Sequence, residues 1–260
     1  MIKWIRFHYK KVTGLFGKLD GDFVNEYEGN LFENPKPTGR KIPINEVRLQ
    51  APLEPHSIFA LWNNFHERAE MEEQKIPDVP LYFMKPLTSV IGPGQNIYRP
   101  RGHQGKVIFE AELGIVIGSK CREVSKLEAA EYIFGYTCVN DVTAVEFLFE
   151  DKAFQQWTRC KGFDTFTPIG PCIATGIDPD GMHVKALQNS ETQQDYPVND
   201  MIFSPLQIVS MMSHYQTLLP GDLISCGTSV GARTMKPGTI IDIVIPGIGT
   251  LSNPFDDLLD

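Results

Sequence analysis

Two glutamates two residues apart in an apolar run are the first residues of this sequence that could do chemistry. The run is Val107-Ile108-Phe109-Glu110-Ala111-Glu112-Leu113-Gly114-Ile115-Val116-Ile117, and its β-branched content reads as a strand. Side chains alternate across a strand, so Phe109, Ala111, Leu113, Ile115 and Ile117 share one face, and Ile108, Glu110, Glu112, Gly114 and Val116 the other. Both faces are therefore largely apolar. Two carboxylates roughly 7 Å apart on a buried face repel each other and resist desolvation unless something positive lies between them, and a metal ion is the simplest such group. The same spacing also fits a solvated strand face. A third acid is needed to decide.

Asp141 supplies one, at the end of the apolar segment 134–139 and directly after Asn140, where a strand can project a side chain while the scaffold holds it still. Glu110, Glu112 and Asp141 form an all-oxygen donor set without His or Cys, which suits Mg²⁺, Mn²⁺ or Ca²⁺ and disfavours Zn²⁺. Three carboxylates against a divalent ion leave one negative charge. Lys161, in Arg159-Cys160-Lys161-Gly162-Phe163-Asp164, is a candidate to balance it or to bind an anionic substrate; an ordinary surface lysine is the alternative.

The elements that must position these residues are mostly short strands. Segments 4–9 and 14–19 read as strands, with Asp20-Gly21 turning a third one back. Residues 28–41 carry Gly, Asn and Pro with little apolar periodicity and read as loop. A small β-rich segment over 1–50 followed by a main domain over 51–260 is the expected division, with residues 51–55 as a stiff connector. Residues 63–75 are charged and helix-compatible, a surface helix or a lid, and 81–84 reads as a strand. Ser125 with Glu128, and Ser204-Pro205 with Gln207, are capping signals for helices over about 126–132 and 205–215. Strands follow at 223–226 and 238–245. Many short strands with few brief helices point to a mostly β, α+β, barrel-like or rolled-sheet core.

Composition narrows the partners. With 260 residues and 42% hydrophobic content the chain can bury a large core. Its 24 basic against 32 acidic residues give a net charge of -8, which disfavours nucleic acid and anionic membrane. No apolar run approaches the roughly 20 residues of a membrane helix. The basic N-terminus lacks the apolar stretch of a secretory signal, and contains no Ser and only Arg6 as a transit peptide would not. Cys121, Cys138, Cys160, Cys172 and Cys226 are odd in number and lack C-x-x-C spacing, so they read as reduced core thiols of a cytoplasmic protein.

The segments 110–118, 134–144, 161–171 and 219–228, in that order, resemble the motifs of the fumarylacetoacetate hydrolase family, in its acylpyruvase and 2-hydroxyhepta-2,4-diene-1,7-dioate isomerase-like branch. The likeness spans about residues 51–260, and the first fifty residues match only loosely. It implies a twisted β-roll core, a homodimer, and a divalent metal, usually Mg²⁺, held by Glu110, Glu112 and Asp141. It makes Lys161 similar to the family's active-site lysine, Thr228 to a residue holding the substrate carboxylate, and Gln194 to a family glutamine. The implied substrate is a small 2-oxo acid. The expected reaction is C–C bond hydrolysis of an acylpyruvate or diketo acid through a metal-bound enolate. An isomerase, hydratase or decarboxylase of a 2-oxo or hydroxydienoic acid is the alternative, and a catalytically silent, metal-stabilised dimeric binding protein is another.

Two positions depart from the family pattern. Asn140-Asp141-Val142-Thr143-Ala144-Val145-Glu146 has Val145 where the hydrolases carry an Arg, so a guanidinium that would grip a carboxylate is missing; Arg159 could supply it. The lid His–Glu dyad is shifted in register, leaving His66 and Glu70, one helical turn apart, as the pair that could activate water. Two other patterns carry no weight. Gly227-Thr228-Ser229-Val230-Gly231 matches a nucleophile elbow, yet no His follows His214. His66-Glu67-Arg68-Ala69-Glu70 begins like a zinc-protease motif but ends in Glu.

Overall fold

The computed structural model describes residues 1–257. Its N-terminal fifth is a run of antiparallel strands, β1 (Ile2–Tyr9), β2 (Val12–Asp20), β3 (Phe23–Glu28) and β4 (Lys36–Pro43), closed by the short β5 (Arg48–Gln50) back on β1. The expected loop over 28–41 is thus half strand. β4 hides from the apolar pattern because it is an edge strand, exposed except for the buried Ile42 and half-buried Pro43, and both of its prolines are tolerated there. It is fixed instead by Thr38 and Arg40, which both reach the buried Glu26 of β3.

The chain then crosses through the largely buried residues 51–55 into β6 (Ile58–Trp62), the six-residue helix α1 (His66–Met71) and β7 (Leu81–Met84). β8 (Val90–Ile91), β9 (Ile97–Arg99) and β10 (Val107–Ile108) lead to β11 (Ala111–Ile117). After α2 (Ala129–Tyr132) come β12 (Ile133–Asn140), β13 (Thr143–Ala144), the short helices α3 (Val145–Leu148) and α4 (Trp157–Lys161), and β14 (Thr167–Thr175). The chain ends with β15 (His183–Gln188), β16 (Glu191–Pro197), α5 (Pro205–Tyr215), β17 (Leu223–Ser225), β18 (Thr239–Ile245) and β19 (Gly249–Asp257).

Most of these strands join one sheet of order β4-β3-β2-β1-β14-β12-β11-β17-β6-β7, with β5 on β1 and β8 on β14. The N-terminal strands are therefore part of the central sheet, through the β1–β14 pairing. A second sheet, β16-β15-β18-β19-β9, packs against it, and β10 pairs with β13 alone. Neither large sheet closes into a barrel along its strand order.

β11 is central to the large sheet and wholly buried, as its two apolar faces require. Leu113, Ile115 and Ile117 enter one apolar cluster, shared with Ile241, Ile243 and Leu251 of the second sheet and Ile208 and Met212 of α5. Val116, on the opposite face, joins Val139, Ile169 and Leu223 in the other cluster. A Cβ on Gly114 would lie 2.7 Å from the Val139 side chain, so close strand packing accounts for the glycine.

Three expected elements are shorter than the sequence pattern suggests, and the helical stretch over 63–75 reduces to His66–Met71. The run 107–117 breaks at Phe109-Glu110, because Phe109 N–H bonds to the Arg233 carbonyl and β10 departs to β13. The Ser125–Glu128 capping bonds form, yet regular helix begins only at Ala129. α5 starts where expected, with the Gln207 side chain accepting from the Ser204 N–H at 3.1 Å. No helix among the described residues is long and apolar enough to cross a membrane.

Candidate metal and substrate site

The break before β11 is where the site is built. Asn140, the last residue of β12, accepts a hydrogen bond from the Glu110 N–H at 3.1 Å, and the Asp141 N–H donates to the Glu110 carbonyl at 2.9 Å. The irregular backbone of Glu110 is thereby held by the same Asn-Asp pair that delivers the third carboxylate. One oxygen from each of Glu110, Glu112 and Asp141 lies within 4.8 Å of the others. All three residues are buried, with 5%, 1% and 1% exposure.

Three cations face these acids. Lys161, the last residue of α4, donates to Glu110 Oε2, to Asp141 Oδ2 at 2.7 Å and to Thr143 Oγ1 at 2.6 Å. Its three N–H groups are thus all engaged. Lys85, directly after β7 and fully buried, donates to Asp141 Oδ1 and to the Phe166 carbonyl at 2.8 Å. Arg68, on α1, donates from Nη1 to Glu110 Oε1 at 3.1 Å and from Nε to Glu72 Oε1 at 2.9 Å.

The charge balance is uneven. Burial, followed by the charges of Asp141 and Glu110, pushes the Glu112 carboxyl up to about 8, although Ser225 Oγ and the Gly227 N–H both donate to its Oε2. Burial alone would raise Asp141 as well, but Lys161 and Lys85 together hold it below its ordinary value. Burial opposes the charge on Lys161, yet Asp141, Glu110 and Glu112 raise it above the ordinary lysine value, so it remains an ammonium. For Lys85 burial wins, and the group is lowered despite Asp141. Arg68 is raised, because Glu110 and Glu72 outweigh its burial. A divalent cation suits this donor set on chemical grounds: the oxygens are hard and converge, and Glu112 lacks a cation of its own.

A recess of about 20 Å³ beside the carboxylates is lined by Glu110, Glu112, Lys161 and Thr228 together with Trp62 and Arg68. It adjoins a cleft of about 520 Å³ lined by Trp62, Arg68, Glu110, Val145, Trp157 and Lys161, among others. Trp62 and Trp157 pack at 5.6 Å between ring centroids, and Phe83 stacks on Trp157 at 5.7 Å, giving the cleft an aromatic wall.

The structure thus gathers Glu110, Glu112, Lys161 and Thr228 around one recess, with Asp141 buried beside them against Lys161. Gln194 lies just behind it. Its Oε1 accepts from the Ala111 N–H at 3.0 Å, while Nε2 donates to Thr228 Oγ1 at 3.0 Å, the Val230 carbonyl at 3.1 Å and the Ser229 carbonyl at 3.3 Å. It clamps the 227–231 loop to β11, and that loop is followed by no helix. Arg159 is turned to the surface, ion-paired with Glu150 and 4.8 Å above the Phe147 ring. His66 and Glu70 are both exposed on α1. The face of α1 turned inward carries Phe65, Ala69 and Arg68, because Phe65 and Ala69 are 0% and 1% exposed and set the phase of the turn.

Arg68, Lys85 and Thr143 are the site residues that the sequence reading passed over. Lys85 follows a strand whose four residues are exposed or half-buried, so no apolar pattern marks it. Arg68 stands among charged neighbours, and only the buried Phe65 and Ala69 reveal which way it faces.

Comparison with known proteins gives two family matches, the fumarylacetoacetate (FAA) hydrolase C-terminal model over residues 57–256 and an Rv2993c-like N-terminal model over residues 2–52. The chain is 40% identical over 234 residues to an uncharacterized protein of Archaeoglobus fulgidus, covering 90% of each. It is 34% identical to the oxaloacetate tautomerase YisK of Bacillus subtilis over 81% of this chain and 73% of that one. A crystal structure of 2-hydroxyhepta-2,4-diene-1,7-dioate isomerase from Mycobacterium marinum superposes with TM-score 0.91 at 34% identity, covering 100% of both chains.

Proposed function

Since the chain belongs to the fumarylacetoacetate hydrolase family, whose members include hydrolases, isomerases and tautomerases, we propose that it is a divalent-metal-dependent enzyme that forms the enolate of a small 2-oxo acid. The observation that carries this is the convergence of three buried carboxylates within 4.8 Å beside the buried Lys161 amine. Glu110, Glu112 and Asp141 would hold the ion, with Mg²⁺ or Mn²⁺ fitting the donor set, and when bound it supplies Lewis-acid polarisation of the 2-oxo group.

The rest is the work of the chain's own side chains. Lys161, held at Glu110, Asp141 and Thr143, places positive charge where an oxyanion develops. Lys85 fixes the Asp141 carboxylate from the side away from the cleft. Thr228, oriented by Gln194, offers a hydroxyl to the substrate carboxylate. The Trp62–Trp157 wall excludes water from the enolate.

Tautomerisation and isomerisation return the proton lost from C3 to another atom of the same substrate and consume no water, and those are the reactions we favour. C–C bond hydrolysis of an acylpyruvate also passes through an enolate but needs an activated water, and His66 and Glu70 are exposed on the outer side of α1. Decarboxylation and hydration share the same first intermediate. A panel of oxaloacetate, acylpyruvates and hydroxydienoates, each assayed with and without chelator, tests the proposal. Chelator-sensitive turnover of tautomers or dienoates supports it, and cleavage of acylpyruvates would restore the hydrolase reading. Turnover indifferent to chelation would refute the metal role, and no turnover on any of them would favour a silent binding protein.

A further inference from the structure

We propose that Arg68 is the residue by which this chain grips a second carboxylate on its substrate, in place of the guanidinium missing at Val145, an inference that rests on the 2-oxo acid reading above. Arg68 and Val145 line the same cleft, and Arg68 alone of the two also lines the recess at the metal-ligand carboxylates. It therefore stands between the place where a 2-oxo acid's reactive end would sit and the wider space that would take its tail.

Donor counting singles it out. Lys161 and Arg68 are the two cations lining that cleft. Lys161 has spent all three N–H groups on Glu110, Asp141 and Thr143. Arg68 has five, of which Nε serves Glu72 and one on Nη1 serves Glu110, so it retains donors for an incoming anion. Its planar fork matches a carboxylate in bidentate fashion, and a guanidinium is cationic at any working pH. Arg159 cannot take this part from the position it holds, bound to Glu150 on the outer side of α4.

The bonds that place Arg68 are local and few. Phe65 and Ala69 anchor α1 in the core, the Glu67 N–H is received by Asp200 at 3.1 Å, and Glu72 holds the guanidinium from one turn ahead. A dicarboxylic 2-oxo acid would take the donors that Glu72 and Glu110 leave free, binding the helix to its own tail. A monocarboxylic acid of the same length offers those donors no acceptor.

The test compares 2-oxoglutarate with 2-oxopentanoate, five-carbon 2-oxo acids that differ only in a terminal carboxylate against a methyl group. Their affinities are measured by calorimetry on the full chain with saturating Mn²⁺, for wild type, Arg68→Met and Arg68→Lys. Wild type is expected to prefer 2-oxoglutarate, Arg68→Met to lose about 10- to 100-fold more affinity for 2-oxoglutarate than for 2-oxopentanoate, and Arg68→Lys to recover part of the difference. A purely structural role for Arg68 would lower both affinities together, and that result overturns the proposal, as does a wild type without preference. If wild type binds neither acid while still binding Mn²⁺, the 2-oxo acid reading itself fails and this proposal with it.

Discussion

Glu112 is the residue whose environment most demands a cation. It is buried, its carboxyl is pushed up to about 8 by burial and by Asp141 and Glu110, and it has only hydrogen bonds for partners. Glu112→Gln keeps the shape and removes the charge, so Mn²⁺ affinity should fall by more than about 100-fold, beyond the loss typical of groups that merely support a ligand. Glu67→Gln, on the exposed side of α1, should leave it unchanged; equal titrations for the two variants would remove Glu112 from the ligand set. At this scale the apolar faces of 107–117 and the strand end at Asn140 singled out Glu110, Glu112 and Asp141 as acids that could converge, and one oxygen of each lies within 4.8 Å of the others. Arg68 and Lys85 were not legible, because their burial depends on which neighbours the fold brings over them, and no short-range pattern encodes that.

The elements explain why the carboxylates converge. Asn140 is no ligand, yet its side chain holds the Glu110 backbone at the break between β10 and β11. Asn140→Ala should therefore weaken Mn²⁺ binding by about 10-fold while costing on the order of 1 to 3 kcal/mol of stability, measured by metal titration and urea unfolding. Undiminished metal affinity would mean that the break is held by the ladder alone. At the other end of the sheet, Arg40, assisted by Thr38, outweighs burial and holds the Glu26 carboxyl below its ordinary value. A depressed folded-state value contributes stability above the unfolded value, near 4.3, and loses it as pH falls through the folded one. The stability advantage of wild type over Glu26→Gln should thus be complete near neutral pH and shrink below about pH 4, as read from melting temperatures across that range; a constant difference would show that the pair contributes by packing only. This pairing is also why β4 was missed: an exposed edge strand held by polar contacts carries no apolar alternation, whereas β1, β2, β11 and β12 announce themselves.

The whole molecule is one large open sheet braced by a smaller one, with the N-terminal strands built into the larger. The mostly β architecture with brief helices follows from short alternating segments and turn residues, while the joining of β1 to β14 is a pairing about 170 residues apart that no local signal could announce. We propose that the working unit is a homodimer; light scattering should give twice the 29.2 kDa of one chain, and a monomer at assay concentration would contradict it. Because a ligand that binds only the folded state stabilises it, Mn²⁺ at about 100 times its dissociation constant should add about 2.7 kcal/mol, and EDTA should reverse the gain. The central claim, that the Glu110–Glu112–Asp141 site turns a 2-oxo acid into its enolate, is tested most directly by following deuterium exchange at C3 of 2-oxobutanoate or 2-oxoglutarate in D₂O by NMR. Exchange should proceed with Mg²⁺ or Mn²⁺, stop with EDTA, and fail in Glu112→Gln; exchange that continues in the presence of EDTA, or is absent from the metal-loaded wild type with both acids, would contradict it.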